Sequence, residues 1–151
     1  MQVQAQVDID LPWQRVVELF DDRDNLFRWQ DGLQSFEHLS GEPGQVGAQS
    51  KLVYRQGKRD FELIETITER RLPEAFNGTY THKGVHNEVR NRFIELGPDK
   101  TRWKCENAFR FSGFMRLMAP FIRGAIAKKT QHDLNAFKQF AEGTANQSSS
   151  S

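Results

Sequence analysis

Residues 2–20, QVQAQVDIDLPWQRVVELF, decide the fold class of this 151-residue chain. Apolar and polar residues alternate from Val3 to Ile9, which predicts a strand with one buried face. Asp10 and Pro12 then predict a helix start, with Asp10 as the cap and Pro12 at the first helical position. Since apolar residues recur at helical spacing to the end of the stretch, a short amphipathic helix should follow the strand.

Downstream of Leu33 the pattern changes to short strands separated by turn signals, which indicates an antiparallel meander. A helical turn over Asn25 to Trp29 precedes it, and a long amphipathic helix from Phe114 to about Glu142 follows it. We expect Gly143 to end that helix and Pro120 to bend its first part. The predicted strands of the meander are Phe36 to Leu39, Ser50 to Gln56, Arg59 to Arg71, Phe76 to His82, Val85 to Glu95 and Thr101 to Phe111.

Several segments in this order resemble a known superfamily. They are residues 10–20 (DLPWQRVVELF), 25–29 (NLFRW), 41–44 (GEPG), 68–73 (TERRLP) and the long terminal helix. The chain resembles the START-related SRPBCC superfamily in its lipid-transport-like or polyketide cyclase/dehydrase-like branches. The resemblance implies an α+β helix-grip fold, in which a seven-stranded antiparallel sheet curls around the long C-terminal helix and two short helices lie between strands 1 and 2. It also implies an apolar cavity, but no invariant catalytic motif.

Charge and cysteine content exclude several classes of function. The chain carries 21 Lys+Arg against 20 Asp+Glu, so it lacks the basic footprint of a nucleic-acid-binding protein. It has no apolar run long enough for a transmembrane helix and no secretory signal at its N-terminus. Because Cys105 is the single cysteine, no internal disulfide can form, as is typical of a reducing cytoplasm. We expect one cytoplasmic domain over residues 1–142, a disordered polar tail over 143–151, a monomer or weak homodimer, and no cofactor.

Two tight turns predict the strand register. Two-residue turns at Gly57-Lys58 and Lys83-Gly84 pair Gln56 with Arg59 and His82 with Val85. With this register one face of each strand is mostly apolar and the other is charged, so a one-residue slip would be costly. The apolar faces should form the concave side of the sheet.

Polar residues interrupt that concave face and the matching stripe of the long helix. Buried polar groups must be paired, hydrated or in contact with a ligand, and an apolar wall with a few polar groups is typical of a small-molecule site. We expect a small hydrophobic or amphipathic molecule, such as a lipid, a polyketide or a quinone-like compound, to enter between the Gly41–Gly47 loop, the Lys83-Gly84 turn and the long helix. The predicted ligand-binding residues are Leu52, Tyr54, Leu63, Glu65, Tyr80, His82, Asn87, Val89, Asn91, Trp103, Asn107, Phe109, Met118, Ile122, Ile126 and Thr130.

Catalysis is a second hypothesis for the same cavity, with Glu65, Tyr80 and His82 as candidate catalytic residues. Glu65 and His82 should face inward on neighbouring strands and can act as acid and base if they lie within hydrogen-bond reach. An aromatase/cyclase-type enzyme would use such groups for aldol cyclisation and dehydration. A third hypothesis is a co-chaperone-like protein-interaction module.

Other motifs point to simpler roles. His82 and His86 have a metal-like spacing but should lie on opposite faces of the hairpin, so no metal site is predicted. The Gly41–Gly47 loop lacks the lysine and helix of a phosphate loop, and Cys105 should be a packed apolar residue. The long helix is basic, and its outer face is predicted to be solvated. Stable membrane insertion is not expected, whereas transient membrane contact is left open.

Overall fold

A seven-stranded antiparallel sheet and a long C-terminal helix form the described part of the chain. The computed structural model describes the backbone of residues 1–149 and the side chains of residues 1–145. The sheet order is β1-β7-β6-β5-β4-β3-β2, so β1 and β2 are its edges. The predicted helix-grip fold is confirmed. Its elements are β1 (Gln2–Ile9), α1 (Trp13–Asp21), a 3₁₀ turn (Arg23–Asn25), α2 (Leu26–Trp29), β2 (Leu33–Ser40), β3 (Gln49–Gln56), β4 (Arg59–Arg71), β5 (Ala75–His82), β6 (Val85–Gly97), β7 (Lys100–Phe111) and α3 (Phe114–Ser149).

The strand register agrees with the two predicted turns. Gln56 lies opposite Arg59 and His82 lies opposite Val85, as expected for two-residue hairpin connections. A bulge in β4 between Ile67 and Glu69 shifts the phase of that strand. Such a bulge reverses which residues face the concave side, so odd and even positions exchange faces beyond this point of β4.

The helix ends differ from the sequence prediction. Asp10 does not cap α1, and no other side chain of residues 1–145 caps this helix. The backbone N–H of Asp10 donates to Glu142 Oε2 at 2.9 Å instead. Gly143 does not end α3, which continues to Ser149. The predicted polar tail, 143–151, thus begins inside this helix, and its last two residues lie outside the described part of the chain. The tail's predicted disorder stays a prediction.

α3 runs along the edge strand β1 and is tied to its backbone. Three side chains of the helix donate to carbonyl groups of β1, at 3.3, 3.1 and 2.6 Å in chain order. An edge strand has unpaired backbone groups, and these bonds satisfy some of them. The donors are Arg123, Gln131 and Lys138, and the acceptors are the carbonyls of Gln2, Gln6 and Asp8.

An aromatic core fills one end of the molecule, between the sheet, α1, α2 and the second half of α3. Phe137 is fully buried there, with its ring centroid 5.2 Å from that of Trp29 and 5.3 Å from that of Trp103. Phe20 approaches Phe93 to 5.0 Å between centroids. Edge-to-face contacts of this kind add to the stabilisation from burial, so this end of the sheet is closed and tightly packed.

The other end is open. Along the first half of α3, Met118, Ile122 and Ile126 continue the inward stripe but are only half-buried, whereas Leu134 farther along is 2% exposed. The inward side chains of β3 to β7 opposite this half of the helix are likewise mostly half-buried, so the helix does not seal this part of the concave face. We call this space the cleft. No helix within residues 1–149 combines the length and the apolar character needed to cross a bilayer.

Candidate functional site

The predicted ligand-binding residues fall into three groups by exposure. Most are half-buried and, by the strand register or their position on α3, lie on the concave side of the sheet or on the inward stripe of the helix. Those buried beneath the wall are Leu52, Val89, Asn91, Trp103 and Asn107. His82 alone is exposed. The half-buried residues are Tyr54, Leu63, Glu65, Tyr80, Asn87, Phe109, Met118, Ile122, Ile126 and Thr130.

Asn91 has a structural partner and does not face the cleft. Its Oδ1 accepts a hydrogen bond from Trp103 Nε1 at 2.9 Å, and its Nδ2 donates to the Phe76 carbonyl at 3.1 Å. Both Asn91 and Trp103 are less than a tenth exposed. The expectation that these two residues bind a ligand is therefore corrected: they belong to the aromatic core, where the amide satisfies the buried indole N–H.

His82 does not form the expected acid–base pair with Glu65. The imidazole is exposed at the end of β5, with Nδ1 2.7 Å from the Glu62 carbonyl oxygen. The β4–β5 register places Tyr80 opposite Glu65 instead. Sequence reasoning left this register open because it depends on the turn at residues 72–74 and on the β4 bulge, for which local composition is a weak guide.

Glu65 and Tyr80 form a hydrogen-bonded pair on the wall of the cleft. The Tyr80 hydroxyl donates to Glu65 Oε2 at 2.6 Å. Burial raises the pKa of the Glu65 carboxyl, although the Tyr80 hydrogen bond and the charge of Arg23 oppose this shift. Burial and the Glu65 charge also raise the pKa of Tyr80 well above its ordinary value, so the phenol keeps its proton. Since that proton is already donated, the pair offers mainly acceptor oxygens to a bound molecule.

Tyr54 repeats this arrangement on β3. Its hydroxyl donates to Gln30 Oε1 at 2.5 Å, and its ring stacks on Phe61 with 5.6 Å between centroids. Burial, together with the nearby charges of Glu65 and Asp133, raises the pKa of Tyr54. The phenol stays neutral, and its oxygen remains available as an acceptor.

A chain of amides extends along β6 and β7. Asn87 Nδ2 donates to Asn107 Oδ1 at 3.3 Å, and Asn107 Nδ2 lies 3.4 Å from Cys105 Sγ. Asn87 Oδ1 is buried and has no hydrogen-bond partner among the described residues. A buried acceptor without a donor is costly, so this oxygen favours a donor supplied by water or a ligand. Cys105 is buried as expected, and burial raises its pKa to about 12.

Two charged groups near the cleft were not among the predicted site residues. The Arg23 guanidinium lies 4.7 Å from the centroid of the Phe36 ring, and its charge favours the ionised form of Glu65. Asp133 lies on α3, where burial raises its pKa and Lys129 Nζ bonds it at 2.8 Å. Asp133 follows Thr130 on the inward stripe of α3, so helical spacing could have identified it as a site residue. Arg23 stands in an acidic, loop-like stretch with no periodicity to identify it.

The mouth of the cleft differs from the expected one. The Gly41–Gly47 loop joins β2 to β3 at the end of the sheet that carries the aromatic core, where Gly47 N–H donates to the Ile67 carbonyl at 2.8 Å. The Lys83-Gly84 turn lies at the opposite end, and Ser112 N–H donates to the Gly84 carbonyl at 2.9 Å. This turn, the Gly57-Lys58 turn and the start of α3 therefore surround the mouth, and the glycine loop does not.

A second concavity, of about 560 Å³, lies on the outer face of β4 to β7. Charged residues of both signs line it, and several are paired within the chain, including Arg71 with Glu69 at 2.7 Å. No group of three metal-ligating residues converges within the described residues. The cleft combines half-buried apolar side chains with Asn87 Oδ1, which has no partner in the described part of the chain.

Solved structures share this fold over nearly the whole chain. A START superfamily protein from Mycobacterium smegmatis is 14% identical, with a TM-score of 0.80 over 95% of this chain and 98% of its own. The aromatase/cyclase Zhui from a Streptomyces species is 15% identical, with a TM-score of 0.77 over 94% and 93%. A norcoclaurine synthase point mutant from Thalictrum flavum, in complex with a transition-state analogue, is 10% identical, with a TM-score of 0.72 over 96% of each chain.

Comparison by sequence finds no matching family model and no matching curated protein. At these identities the structural likeness establishes the fold alone. The predicted resemblance to START-related helix-grip proteins is confirmed at that level. What the cleft holds must be argued from its own residues.

Proposed function

We propose that this protein binds a small amphipathic molecule in the cleft between the concave face of the sheet and the first half of α3. The observation that carries the proposal is the Glu65–Tyr80 pair, 2.6 Å apart, among half-buried apolar side chains of the concave face. Leu63, Phe109 and Ile122 are among the half-buried apolar residues that would supply most of the binding free energy through burial. The fold's occurrence in a START protein and an aromatase/cyclase is consistent with this reading.

The polar lining indicates which amphipathic molecules fit best. Tyr80 and Tyr54 each donate their single proton within the protein, and Asn87 Oδ1 lacks a donor. The groups left for a ligand are therefore mainly acceptors. A ligand with a hydroxyl, phenol or amine donor would satisfy them, whereas a ligand carrying only ether or ester oxygens would leave them unpaired.

Two aromatic probes of nearly equal size test this preference. Naphthol carries a hydroxyl donor and methoxynaphthalene does not, and naphthol fluorescence reports its binding. We expect naphthol to bind about fivefold more tightly, since one net hydrogen bond contributes about 1 kcal/mol. Glu65→Ala should reduce that preference, because it removes the carboxyl acceptor and frees the Tyr80 hydroxyl proton for a ligand acceptor.

A variant that fills the cleft tests its location. Ile122 is half-buried on the cleft side of α3, so Ile122→Trp should fill the space and weaken probe binding by about tenfold or more. Val46→Trp, at an exposed position beside the aromatic-core end of the sheet, is the matched control and should leave binding unchanged. Equal affinities in wild type and Ile122→Trp would remove the cleft as the binding site.

Acid–base catalysis in the same cleft is the second candidate, favoured by the raised pKa of Glu65. A buried carboxyl with a raised pKa is a stronger base than a solvated one, and Tyr80 holds its position. The reaction class would be proton abstraction next to a ligand carbonyl, as in aldol cyclisation followed by dehydration.

The catalytic candidate is tested with Glu65→Gln, Tyr80→Phe and His82→Ala. With a polyketide-like substrate, the first two variants should lower turnover by about a hundredfold or more, the usual contribution of a positioned acid or base. His82→Ala should leave turnover unchanged because the imidazole is exposed and bonds a backbone carbonyl. Turnover that is unchanged in the Glu65 and Tyr80 variants would restrict the protein to binding.

A further inference from the structure

The first half of α3 exposes large apolar side chains on a face that does not pack against the sheet. Phe114, Leu117 and Phe121 are 71%, 71% and 80% exposed, the highest values among the large apolar side chains described. At about 100° per residue the three fall within about 60° of one another on the helix. We call these three residues the α3 patch.

The α3 patch is separate from the stripe that lines the cleft. Met115, Met118 and Ile122 are half-buried and face the interior, so this part of the helix is apolar on two faces. The predicted solvated outer face is therefore corrected for this half of α3. Clustered exposed apolar side chains of this size usually mark an interaction surface rather than ordinary surface composition.

Basic residues dominate the sequence around the patch. Residues 107–132 contain five Lys and Arg and no Asp or Glu, although the whole chain is nearly balanced at 21 basic and 20 acidic residues. Lys128 lies seven residues after Phe121 and so continues the same helix face. Lys83 is exposed in the turn whose Gly84 carbonyl accepts from Ser112, just before the start of α3.

We propose that the α3 patch docks on a membrane surface rich in anionic lipids. Apolar side chains framed by lysines are the pattern of an interfacial helix, in which rings enter the headgroup boundary and ammonium groups bind lipid phosphates. The patch lies beside the mouth of the cleft, so docking would bring that mouth against the bilayer. The proposal does not depend on what the cleft binds, since the patch residues are outside it.

Vesicle co-sedimentation of the full chain tests docking without any cleft ligand. The wild type should bind vesicles of phosphatidylcholine with phosphatidylserine, bind phosphatidylcholine vesicles much more weakly, and dissociate as salt is added. The double variants Leu117→Ser/Phe121→Ser and Lys83→Glu/Lys128→Glu should each reduce the vesicle partition coefficient by about tenfold or more. For the lysine variant, each basic residue near an anionic surface raises that coefficient by about fivefold.

The matched controls are charge reversals and apolar-to-serine changes made away from the α3 patch. Arg90→Glu/Arg92→Glu makes the same charge change on the outer sheet face, and Val46→Ser/Leu96→Ser removes exposed apolar groups distant from the mouth. Both should bind like the wild type. All variants alter exposed side chains, so circular dichroism and the melting temperature should be unchanged.

Three outcomes would overturn the proposal. They are absence of binding to anionic vesicles, equal loss of binding in the control variants, and a concentration-dependent dimer that Leu117→Ser/Phe121→Ser dissociates. The last outcome would assign the α3 patch to self-association. None of them bears on naphthol binding, which tests the cleft separately.

Discussion

Glu65 is a carboxyl group held inside the concave face, and its pKa makes stability depend on pH in a predictable direction. Burial raises its pKa in the folded protein above the unfolded value of about 4.3. Its contribution to stability is therefore complete below the unfolded pKa and is lost as the pH rises through the folded pKa. Burying the ionised form carries a free-energy cost, and groups perturbed in this way are common at functional sites.

Glu65→Gln removes that cost and keeps an acceptor for Tyr80. We expect the free energy of unfolding of the variant, relative to wild type, to increase between pH 4 and pH 8, as measured by urea denaturation. Glu62→Gln, an exposed change on the same strand, is the control and should show a smaller dependence. A Glu65→Gln difference that stays constant or falls with pH would contradict the assignment of a raised pKa.

Cys105 should be chemically inert in the folded protein. It is 5% exposed and burial raises its pKa to about 12, so almost no thiolate forms at pH 8. We expect Ellman's reagent to leave the native thiol unmodified for hours and to react at once after guanidinium unfolding. Rapid labelling of the native protein would mean that the β7 side of the cleft is more open than described.

At the scale of elements, α3 should behave as two halves. Its second half contributes Leu134, Phe137 and Ala141 to the buried core, whereas its first half exposes three large apolar side chains and contains Pro120, which has no N–H for the helix. We expect hydrogen exchange to be fast over residues 115–127 and close to the global unfolding limit over 133–141. Uniform protection along α3 would contradict a cleft that opens at this helix.

The elements could be predicted from the sequence because their signals are local. Alternation defined β1, and the Gly57-Lys58 and Lys83-Gly84 turns defined two hairpin registers, which the structure confirms. The pairing of Glu65 with Tyr80 was not predictable in the same way because it depends on the long turn and bulge between β4 and β5. Likewise, whether Asn91 faces a ligand or Trp103 depends on side-chain packing, which strand alternation does not specify.

At the scale of the whole molecule, the aromatic-rich composition serves two purposes. The chain has 12 Phe, 3 Trp and 2 Tyr but is only 37% hydrophobic. Phe20, Trp29, Phe93, Trp103 and Phe137 close one end of the sheet. Tyr54, Tyr80 and Phe109 line the other end, where α3 does not seal the sheet. A compact core at one end thus stabilises a fold whose other end stays open for a ligand.

Methyl NMR with naphthol locates binding in the cleft without a functional assay. We predict shifts in the methyl signals of Leu63, Met118, Ile122 and Ile126, with Leu39, Val46 and Leu96 unchanged. Shifts confined to the outer face or to the aromatic-core end, or no shifts at saturating naphthol, would contradict a binding cleft between the sheet and the first half of α3.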